Sequence, residues 1–440
     1  MTSPFSARRS QPIMATLAPP GPSSPTSTAH GILRALGPGL VTGAADDDPS
    51  GIATYSQVGA QFGYGIGWTM LFSLPLMFVV QALCARIGAV TGQGIAENLK
   101  RHYPRPALTV AVLLLLTANV INLGADLGAM GAALKLLIGG PLLAYTFGFG
   151  VLSAALTIFI PYARYAVVLK WLTLSLFAYV GVLFATHVNW PTMLRSLVLP
   201  SLHLDRDRAM ALVAVLGTTI SPYLFFWQAD QEVEEGRRRN LRPLRLDPRR
   251  AEGELARIRT DTGVGMGFSN LIALCIITAT AATLNAHGVT NIETSAQAAE
   301  ALRPIAGRFA FLLFALGILG TGLLAVPVLA GSAAYAVAET CGWPCSLERK
   351  PREAKAFYGL IAAATLGGVA LNLIGLDPIK ALYWSAVVNG ALAAPLMALI
   401  MLIVTNRRAM GKLTAPRGLV LIGWVATAIM AAVTAMFLAW

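Results

Sequence analysis

Charged residues are scarce in this chain of 440 residues: they make up 12% of it, against about 25% in typical soluble domains. Hydrophobic residues account for 56%, and the mean hydropathy is +0.65. This composition excludes an ordinary soluble domain and indicates a protein that crosses a membrane many times. The net charge of +12 does not predict nucleic-acid binding, because a membrane protein concentrates basic residues in its cytoplasmic loops.

Cysteine and histidine are also rare, and their positions exclude several kinds of site. The four cysteines are too few and too scattered to predict a disulfide framework or a zinc site. The five histidines fall in the amino-terminal tail or in loops, so a histidine proton relay through the membrane is not supported. The loops contain no nucleophile and base pair and no phosphate-binding glycine motif. The sequence therefore predicts neither an enzyme nor a bound cofactor.

The apolar residues form eleven runs that are each long enough to cross about 30 Å of hydrocarbon. We therefore predict an all-α membrane protein with eleven transmembrane helices. The runs cover approximately residues 36–62, 64–90, 107–137, 142–160, 163–186, 207–235, 260–284, 306–338, 356–375, 379–405 and 417–439. Residues 1–30 are rich in proline and serine and are predicted to form a disordered cytoplasmic tail, which leaves residues 31–440 as the transmembrane domain.

The lysines and arginines fall mainly in alternate loops. If the amino terminus is cytoplasmic, most of the 33 lie on the inner side, and the largest group extends from Arg237 to Arg259. The positive-inside rule then predicts an integral protein of the cell's inner membrane, with its amino terminus in the cytoplasm and its carboxyl terminus outside. The lipid bilayer is the one partner that composition alone implies.

Three consecutive aspartates, Asp46, Asp47 and Asp48, interrupt the first apolar run. A carboxylate at bilayer depth costs about 2.5 kcal/mol or more, so these residues require an explanation. Pro49 lacks a backbone N–H and disfavours helical backbone at Asp48, so we expect the helix to unwind there and free carbonyl groups. The segment predicts a cation site, and the alternative is a helix cap at the membrane surface.

A second interruption, at residues 218–223 around Pro222, lies five spans later. Because five is an odd number, the two halves of the chain begin on opposite faces of the membrane. We predict inverted repeats at about 36–186 and 207–405, with 417–439 as an extra helix. Paired breaks in inverted repeats point to a substrate site at the midplane, whereas a single such break is also consistent with an ordinary proline kink.

The side chains and carbonyl groups expected at the two breaks are oxygen donors. Such ligands suit Mg²⁺, Ca²⁺ or Mn²⁺. The candidate binding residues are Asp47, Asp48, Ser50, Gly51, Thr219, Ile220, Ser221 and Tyr223. Candidates for a proton path, or for groups that surround the ligands, are Asn122, Asp126, Gln228 and Asn389. For Asn389, a hydrogen bond between helices is an alternative.

Several segments resemble the Nramp (natural resistance-associated macrophage protein) family of metal-ion transporters. They are DPSGIATYSQVGAQFGYGIGW with the following ARIGAVTGQGIAENLKRHYP, ADLGAMGAALKLLIG in the third span, and SAVVNGALAAPLMALIMLIVTNRRAMG in the tenth. The similarity extends over about residues 36–415. It implies a leucine-transporter-type fold with five-plus-five inverted repeats that works by alternating access. It also implies a divalent metal ion (Mn²⁺, Mg²⁺ or Fe²⁺) as substrate, with protons as a candidate coupling ion and no indication of the oligomeric state.

The chain departs from the family pattern at the residues that carry the chemistry. The family's Asp-Pro-Gly-Asn reads Asp48-Pro49-Ser50-Gly51, and its Met-Pro-His reads Ser221-Pro222-Tyr223. The lost methionine sulfur shifts the expected substrate toward harder ions.

Further departures affect the groups around the site. The family's second histidine in helix 6 corresponds to Gln228. In helix 3, Asp126 matches the family aspartate, but Ala129 replaces the nearby glutamate, and in helix 10 Ala386 replaces a glutamine. These losses remove groups on which proton coupling in the family would rely. Two alternative functions therefore stay open: transport of a non-metal or monovalent solute by the same fold, or a sensor that does not transport.

Overall fold

The computed structural model describes residues 37–160, 176–200 and 205–439. Within these ranges the chain forms helices and no β-strand, which confirms the predicted all-α class. The predicted tail, residues 1–30, lies outside the described residues, and so do residues 163–175 of the predicted fifth span.

The described part of the first half contains eight principal helices. They are α1 (Pro38–Asp46), α2 (Pro49–Phe62), α3 (Trp68–Thr91), α4 (Ile95–His102), α5 (Arg105–Ile138), α6 (Leu142–Phe159), α7 (Phe177–Ala185) and α8 (Trp190–Val198). Gly92 ends α3 with a φ of +69°, a conformation that glycine adopts without strain, and the chain turns there into α4.

The second half contributes a further eight principal helices among the described residues. They are α9 (Arg206–Thr219), α10 (Pro222–Arg238), α11 (Ala251–Thr283), α12 (Ser295–Glu300), α13 (Ala310–Cys341), α14 (Lys355–Leu371), α15 (Pro378–Thr405) and α16 (Arg417–Leu438). The short helix α12 begins with a capping box, in which Thr294 and Gln297 each bond to the other's backbone N–H.

Nine helical segments of the described residues are long and apolar enough to cross a membrane. The first predicted span is not among them: α1 and α2 are each too short to cross, and any stretch of the two together that is long enough contains all three aspartates. Within Arg206–Arg238, which comprises α9 and α10, 94% of the most apolar stretch is buried, whereas the corresponding share of α16 is 22%. The segment with the second proline therefore lies at the centre of the protein, and α16 lies at its lipid-facing periphery.

Glycines allow the central helices to approach one another closely. A Cβ atom on Gly43 of α1 would clash with the backbone of Gly265 in α11. In the same way, a Cβ atom on Gly217 of α9 would clash with the backbone of α15 at Ala386. Such contacts between small residues are typical of helices that pack within a membrane. They fix α1 against α11 and α9 against α15.

Candidate cation site

Each of the two proline-containing segments is a pair of helices joined by two non-helical residues. Between α1 and α2, Asp47 has φ −82° and ψ 48°, and Asp48 is extended at φ −69° and ψ 170°. Between α9 and α10, Ile220 has φ −123° and ψ 60°, and Ser221 is extended at φ −79° and ψ 132°. Pro49 and Pro222 each begin the second helix of a pair, where a missing N–H costs nothing.

The Asp48 carboxylate is the meeting point of three helices. Its Oδ1 atom accepts hydrogen bonds from the backbone N of Gly51 at 2.7 Å and from Ser50 Oγ at 2.8 Å, and so caps α2. Its Oδ2 atom accepts a hydrogen bond from Asn122 Nδ2 of α5 at 2.9 Å. The Tyr223 hydroxyl of α10 lies 3.3 Å from the same oxygen. The arrangement orients both oxygens of a side chain that is only 1% exposed.

Tyr223 also contacts a backbone oxygen that the first break sets free. Its hydroxyl donates to the Ala45 carbonyl at 2.9 Å. That carbonyl lies in the last turn of α1, where carbonyl groups lack partners within the helix. Because a phenol has a single hydroxyl hydrogen, Tyr223 donates either to Ala45 O or to Asp48 Oδ2 at any moment. The other of these two oxygens can then accept from, or bind, another partner. The Ala45 carbonyl was missed by the sequence analysis, which named no residue of the first break before Asp46.

Two of the predicted surrounding residues contact the Asp48 group through Asn122. Asn389 Nδ2 donates to Asn122 Oδ1 at 3.3 Å, and Asn122 Nδ2 lies 3.5 Å from Asp126 Oδ2. The second oxygen of Asp126, Oδ1, is buried and has no hydrogen-bond partner among the described residues. Asn122 therefore links the candidate ligand on α2 to a second buried carboxylate on α5 and to α15.

The other two aspartates of the triplet turn away from this group. Ser269 Oγ of α11 lies 2.6 Å from Asp46 Oδ2 and 3.1 Å from Asp47 Oδ1. The second oxygen of each carboxylate is buried without a partner within the described ranges. Asp47, a predicted ligand, thus contacts α11, whereas Asp48 contacts α5 and α10. Ser269 was not predicted, because a serine in an apolar helix carries no distinctive signal.

At the second break, the hydroxyl groups bond back to their own helix. Thr219 Oγ1 donates to Val215 O at 3.0 Å, and Ser221 Oγ donates to Thr218 O at 2.8 Å. No backbone N–H of the described residues donates to the carbonyl oxygens of Thr219 or Ile220. Of the predicted atoms here, these carbonyl oxygens and the Tyr223 hydroxyl are therefore the better placed to bind a cation.

Gly51 brings the two breaks together. A Cβ atom at this position would lie 3.1 Å from Thr218 Oγ1 of α9 and 3.4 Å from the Asp46 carbonyl oxygen. The first distance is tighter than ordinary van der Waals contact, so a larger residue would push α2 away from α9. The position that holds asparagine in the family motif here allows close packing and supplies no side-chain ligand.

The buried carboxylates around the two breaks lack cationic partners. Within the described ranges, no Lys, Arg or His nitrogen lies within 4.0 Å of a carboxylate oxygen of Asp46, Asp47, Asp48 or Asp126. An uncompensated charge in a low-dielectric interior is costly, so such groups are expected to bind a cation or a proton. No group of three or more His, Cys, Asp and Glu in this part of the chain is arranged to hold a metal ion. A cation at Asp48 would have to be bound largely by neutral oxygen atoms, with water completing the shell, as Mg²⁺ commonly is.

We call the end of the protein where α1 begins and α10 ends the basic face. Between Asp48 and this face, a chain of polar contacts blocks access to the site. Thr42 Oγ1 of α1 donates to Gln228 Oε1 of α10 at 2.5 Å. Gln228 Nε2 donates to Glu232 Oε1 at 3.4 Å, and Arg257 Nη2 of α11 donates to Glu232 Oε2 at 2.8 Å. Gln228, a predicted candidate for a proton path or for a group around the ligands, thus forms hydrogen bonds with Thr42 and Glu232 in the structure.

Asp261 of α11 caps the beginning of α1. Its carboxylate accepts hydrogen bonds from the backbone N of Gly37 at 2.8 Å, of Gly39 at 2.8 Å and of Leu40 at 3.1 Å. Because α1 has no side-chain cap of its own, this contact supplies partners for its free N–H groups. The signal that could have revealed Asp261 is a lone carboxylate inside a predicted transmembrane span.

At the opposite end lies a cavity of about 330 Å³, which we call the outer vestibule. It is lined by residues of α2, α9 and α15 and of the segment after α11, including Ala53, Gln57, Gln61, Met210, Asn291 and Lys380. Ala53 follows Pro49 by about one helical turn, so the vestibule approaches the site along α2. Asp48 itself is only 1% exposed, so the cavity stops short of the carboxylate.

The fold is similar to those of solved transporters. The crystal structure of the Eremococcus coleocola manganese transporter, in complex with an aromatic bis-isothiourea substituted compound, has a TM-score of 0.74 at 15% sequence identity, and the match covers 94% of this chain and 87% of that one. MhsT in complex with L-phenylalanine has a TM-score of 0.59 at 13% identity, with 91% and 97% covered. At these identities the likeness establishes the fold alone.

Sequence relatives extend over nearly the whole chain. The divalent metal cation transporter MntH of Klebsiella pneumoniae (strain 342) is 27% identical over 410 residues, which is 90% of this chain and 92% of that protein. The protein of the same name from Deinococcus radiodurans is 26% identical over 421 residues, or 92% and 90% of the two chains. The family model described as natural resistance-associated macrophage protein-like matches residues 39–439. As the resemblance in its first, third and tenth spans predicted, this chain belongs to the Nramp family.

Proposed function

We propose that this chain, a membrane transporter by family and not an enzyme, carries a divalent metal cation across the inner membrane by alternating access. The names of its relatives, divalent metal cation transporter and manganese transporter, support the class of substrate. The metal is cargo in this proposal and not a resident cofactor. The two proline-containing breaks, five spans apart, support inverted five-helix repeats with eleven spans in all.

One observation carries the proposal: the Asp48 carboxylate is buried between the two breaks, and no residue of the described ranges gives it a cationic partner. We assign Asp48 as the primary ligand. The Tyr223 hydroxyl lies 2.9 Å from the Ala45 carbonyl oxygen and 3.3 Å from Asp48 Oδ2, and these three atoms offer oxygens from two helix pairs. The carbonyl oxygens of Thr219 and Ile220 are the further ligands, and Ser50 and Gly51 hold Asp48 in place.

The ligand set favours hard ions. The site offers carboxylate, carbonyl and hydroxyl oxygens, and neither break contains the histidine, cysteine or methionine that select softer transition metals. Mn²⁺ and Mg²⁺ are therefore the expected substrates, ahead of Fe²⁺. Asn122, Asp126 and Asn389 form the polar group on the far side of Asp48 and are the candidate route for a coupled proton.

The arrangement of cavities corresponds to one state of a transport cycle. The outer vestibule approaches the site from one end. At the other end, the contacts of Thr42, Gln228 and Glu232 separate the site from the basic face. The basic face carries Arg237, Arg238 and Arg239, so the positive-inside rule assigns it to the cytoplasm. The vestibule would then face outward, with the amino terminus inside and the carboxyl terminus outside.

Uptake into liposomes tests the proposal. The purified full chain should give saturable Mn²⁺ or Mg²⁺ uptake, and Asp48→Asn, which keeps the shape but removes the charge, should slow it at least about tenfold, the factor that corresponds to about 1.4 kcal/mol. Asp247→Asn changes a half-buried carboxylate near the basic face, which pairs with Arg250, and serves as the matched control. Uptake that survives Asp48→Asn would refute the assignment of the site.

Calorimetry separates the two alternative functions from this one. Binding of Mn²⁺ or Mg²⁺ that is lost in Asp48→Asn supports the proposed site. If no divalent ion binds and an organic or monovalent solute is transported instead, the fold carries a different substrate. If nothing is transported, the chain is a sensor.

A further inference from the structure

A groove near the basic face combines two arginines with an apolar wall. It lies where the last turns of α3, the first turns of α11 and the beginning of α16 meet, and it has a volume of about 140 Å³. We call it the interfacial groove. Its lining includes Arg86 of α3, Glu252, Leu255 and Arg259 of α11, and Pro416 and Leu419 at the beginning of α16.

The two guanidinium groups of the groove differ in how they are held. Arg86 is fixed, because its Nε donates to Leu413 O at 3.1 Å and its Nη2 donates to Thr414 O at 3.0 Å. Its Nη1 makes no hydrogen bond within the described ranges. Arg259 is exposed, and no carboxylate oxygen of the described residues lies within 4.0 Å of it. Glu252 is the only acidic residue of the lining, so the groove carries a net positive charge.

The lengths of the helices place this groove at the level of the lipid headgroups. Helix α11 has 33 residues and is therefore about 50 Å long, whereas the hydrocarbon core is about 30 Å thick. Its first turns, with Leu255 and Arg259, thus extend beyond the hydrocarbon. Arg86 precedes the end of α3 at Thr91 by five residues, which corresponds to about 7.5 Å along the helix. The groove borders the beginning of α16, of whose most apolar stretch only 22% is buried inside the protein, so α16 brings it next to the bilayer.

We propose that the interfacial groove binds the phosphate headgroup of an anionic phospholipid from the surrounding leaflet. Guanidinium groups pair with phosphate oxygens through charge-assisted hydrogen bonds, and basic pockets between transmembrane helices are suited to anionic headgroups. The carbonyl partners of Arg86 already hold its side chain in place. Arg86 and Arg259 donate hydrogen bonds to the phosphate in this proposal. Leu255 and Leu419 lie beside them along the path of an acyl chain. This apolar wall favours a lipid over free phosphate, because inorganic phosphate has no apolar part that could contact it.

The bound lipid would join three helices with different contacts inside the protein. Helix α11 is packed against α1, α16 is peripheral, and α3 contacts α10 and α11. A headgroup between Arg86 and Arg259 therefore adds a link between α3 and α11 to the packing that these two helices already have. The proposal does not depend on which solute the protein transports.

Native mass spectrometry of the full chain tests this site. The protein is released from detergent that contains equal amounts of phosphatidylglycerol and phosphatidylethanolamine, and the retained lipids are counted. Each arginine near a membrane surface contributes about a fivefold preference for anionic lipid. We expect the wild type to retain phosphatidylglycerol preferentially, Arg259→Gln to weaken this retention about fivefold, and Arg86→Gln with Arg259→Gln to abolish the preference.

Controls make each outcome decisive. Arg249→Gln removes an equally exposed arginine outside the groove and should leave retention unchanged. Arg259 makes no hydrogen bond to another described residue, so its variant is expected to fold even if loss of the Arg86 contacts destabilises the protein. Elution of a single peak in gel filtration checks this. Equal loss in Arg249→Gln, full retention in Arg259→Gln, or equal retention of both lipids would overturn the proposal. Complete displacement of the lipid by inorganic phosphate would assign the site to free phosphate and would also overturn it.

Discussion

Replacing Asp261 by alanine should release the beginning of α1 from α11. The Asp261 carboxylate accepts three backbone hydrogen bonds there, from Gly37, Gly39 and Leu40, and no other side chain of the described residues caps α1. Arg257 lies 3.8 Å from Asp261 but has closer partners in Glu232 and Glu254, each at 2.8 Å. The substitution therefore removes the cap while leaving the neighbouring ion pairs in place.

The size of the effect follows from these contacts. A hydrogen bond to a charged group contributes about 1.5–3 kcal/mol, but water replaces part of this where the helix end is accessible. Loss of an N-cap costs about 0.5–2 kcal/mol, and three bonds to one buried carboxylate place Asp261 at the upper end of that range. About 2 kcal/mol corresponds to a factor of about thirty in the local opening equilibrium.

Hydrogen exchange measured by mass spectrometry reads this equilibrium directly. In Asp261→Ala, amides in a peptide that covers residues 37–46 should exchange about thirty times faster than in the wild type, given an opening cost lower by about 2 kcal/mol. The matched control is Asp377→Ala, because Asp377 caps α15 through Ile379 N at 2.9 Å and Lys380 N at 3.2 Å. This variant should accelerate exchange at the beginning of α15 only. A change of less than about threefold at residues 37–46 in Asp261→Ala would refute the reasoning.

Three further predictions concern the site and its packing. Asn122→Leu removes the donor to Asp48 Oδ2 and should raise the KM for divalent-ion uptake about tenfold, the equivalent of one such hydrogen bond, with the protein still folded by gel filtration. Ser269→Ala leaves Asp46 and Asp47 without a donor and should lower stability by about 1–3 kcal/mol, measured as a lower thermal unfolding midpoint; an unchanged midpoint would contradict this assignment. Gly43→Ala should prevent close packing of α1 on α11 and reduce the yield of folded protein, whereas Gly148→Ala, where no atom lies within 4 Å of the added Cβ, should be neutral.

Most of the fold was predictable because a membrane imposes simple requirements on a chain. Apolar runs of sufficient length gave helices at the expected positions in the described ranges, and prolines marked the beginnings of α2 and α10. The main difference is at α11, which was expected at 260–284 and begins at Ala251. Its first turns contain Glu252, Glu254 and Arg257, so hydropathy assigned them to a loop. In the structure they are helical, and Arg257 forms ion pairs there with Glu254 on the same helix and with Glu232 on α10.

The helix breaks of the candidate site were predictable, but the contacts of its side chains were not. Pro49 and Pro222 fixed where the helices end, and Asp48 follows from its place before the first proline. The sequence could not predict which helix each of the three aspartate side chains contacts. Non-helical backbone has no regular period that would assign successive side chains to particular faces. Whether Ser221 bonds to a ligand or to the Thr218 carbonyl is likewise decided by local backbone angles, which composition does not encode.

The acidic triplet lies where the first helix pair meets α11 on one side and α5 and α10 on the other. Helix α1 is attached to α11 at both ends, by Asp261 at its beginning and by Ser269 at Asp46 and Asp47, and the Gly43 contact joins the two backbones between these points. Helix α2 packs against α11 as well, because a Cβ atom on Gly59 would clash with the backbone of Ile277, so α11 holds both helices of the pair. Asp48 in turn connects the pair to α5 and α10. A movement of α10 relative to this pair would change the distances from the Tyr223 hydroxyl to Ala45 O and Asp48 Oδ2, two of the proposed ligand atoms, so binding of the ion and movement of α10 are expected to be coupled.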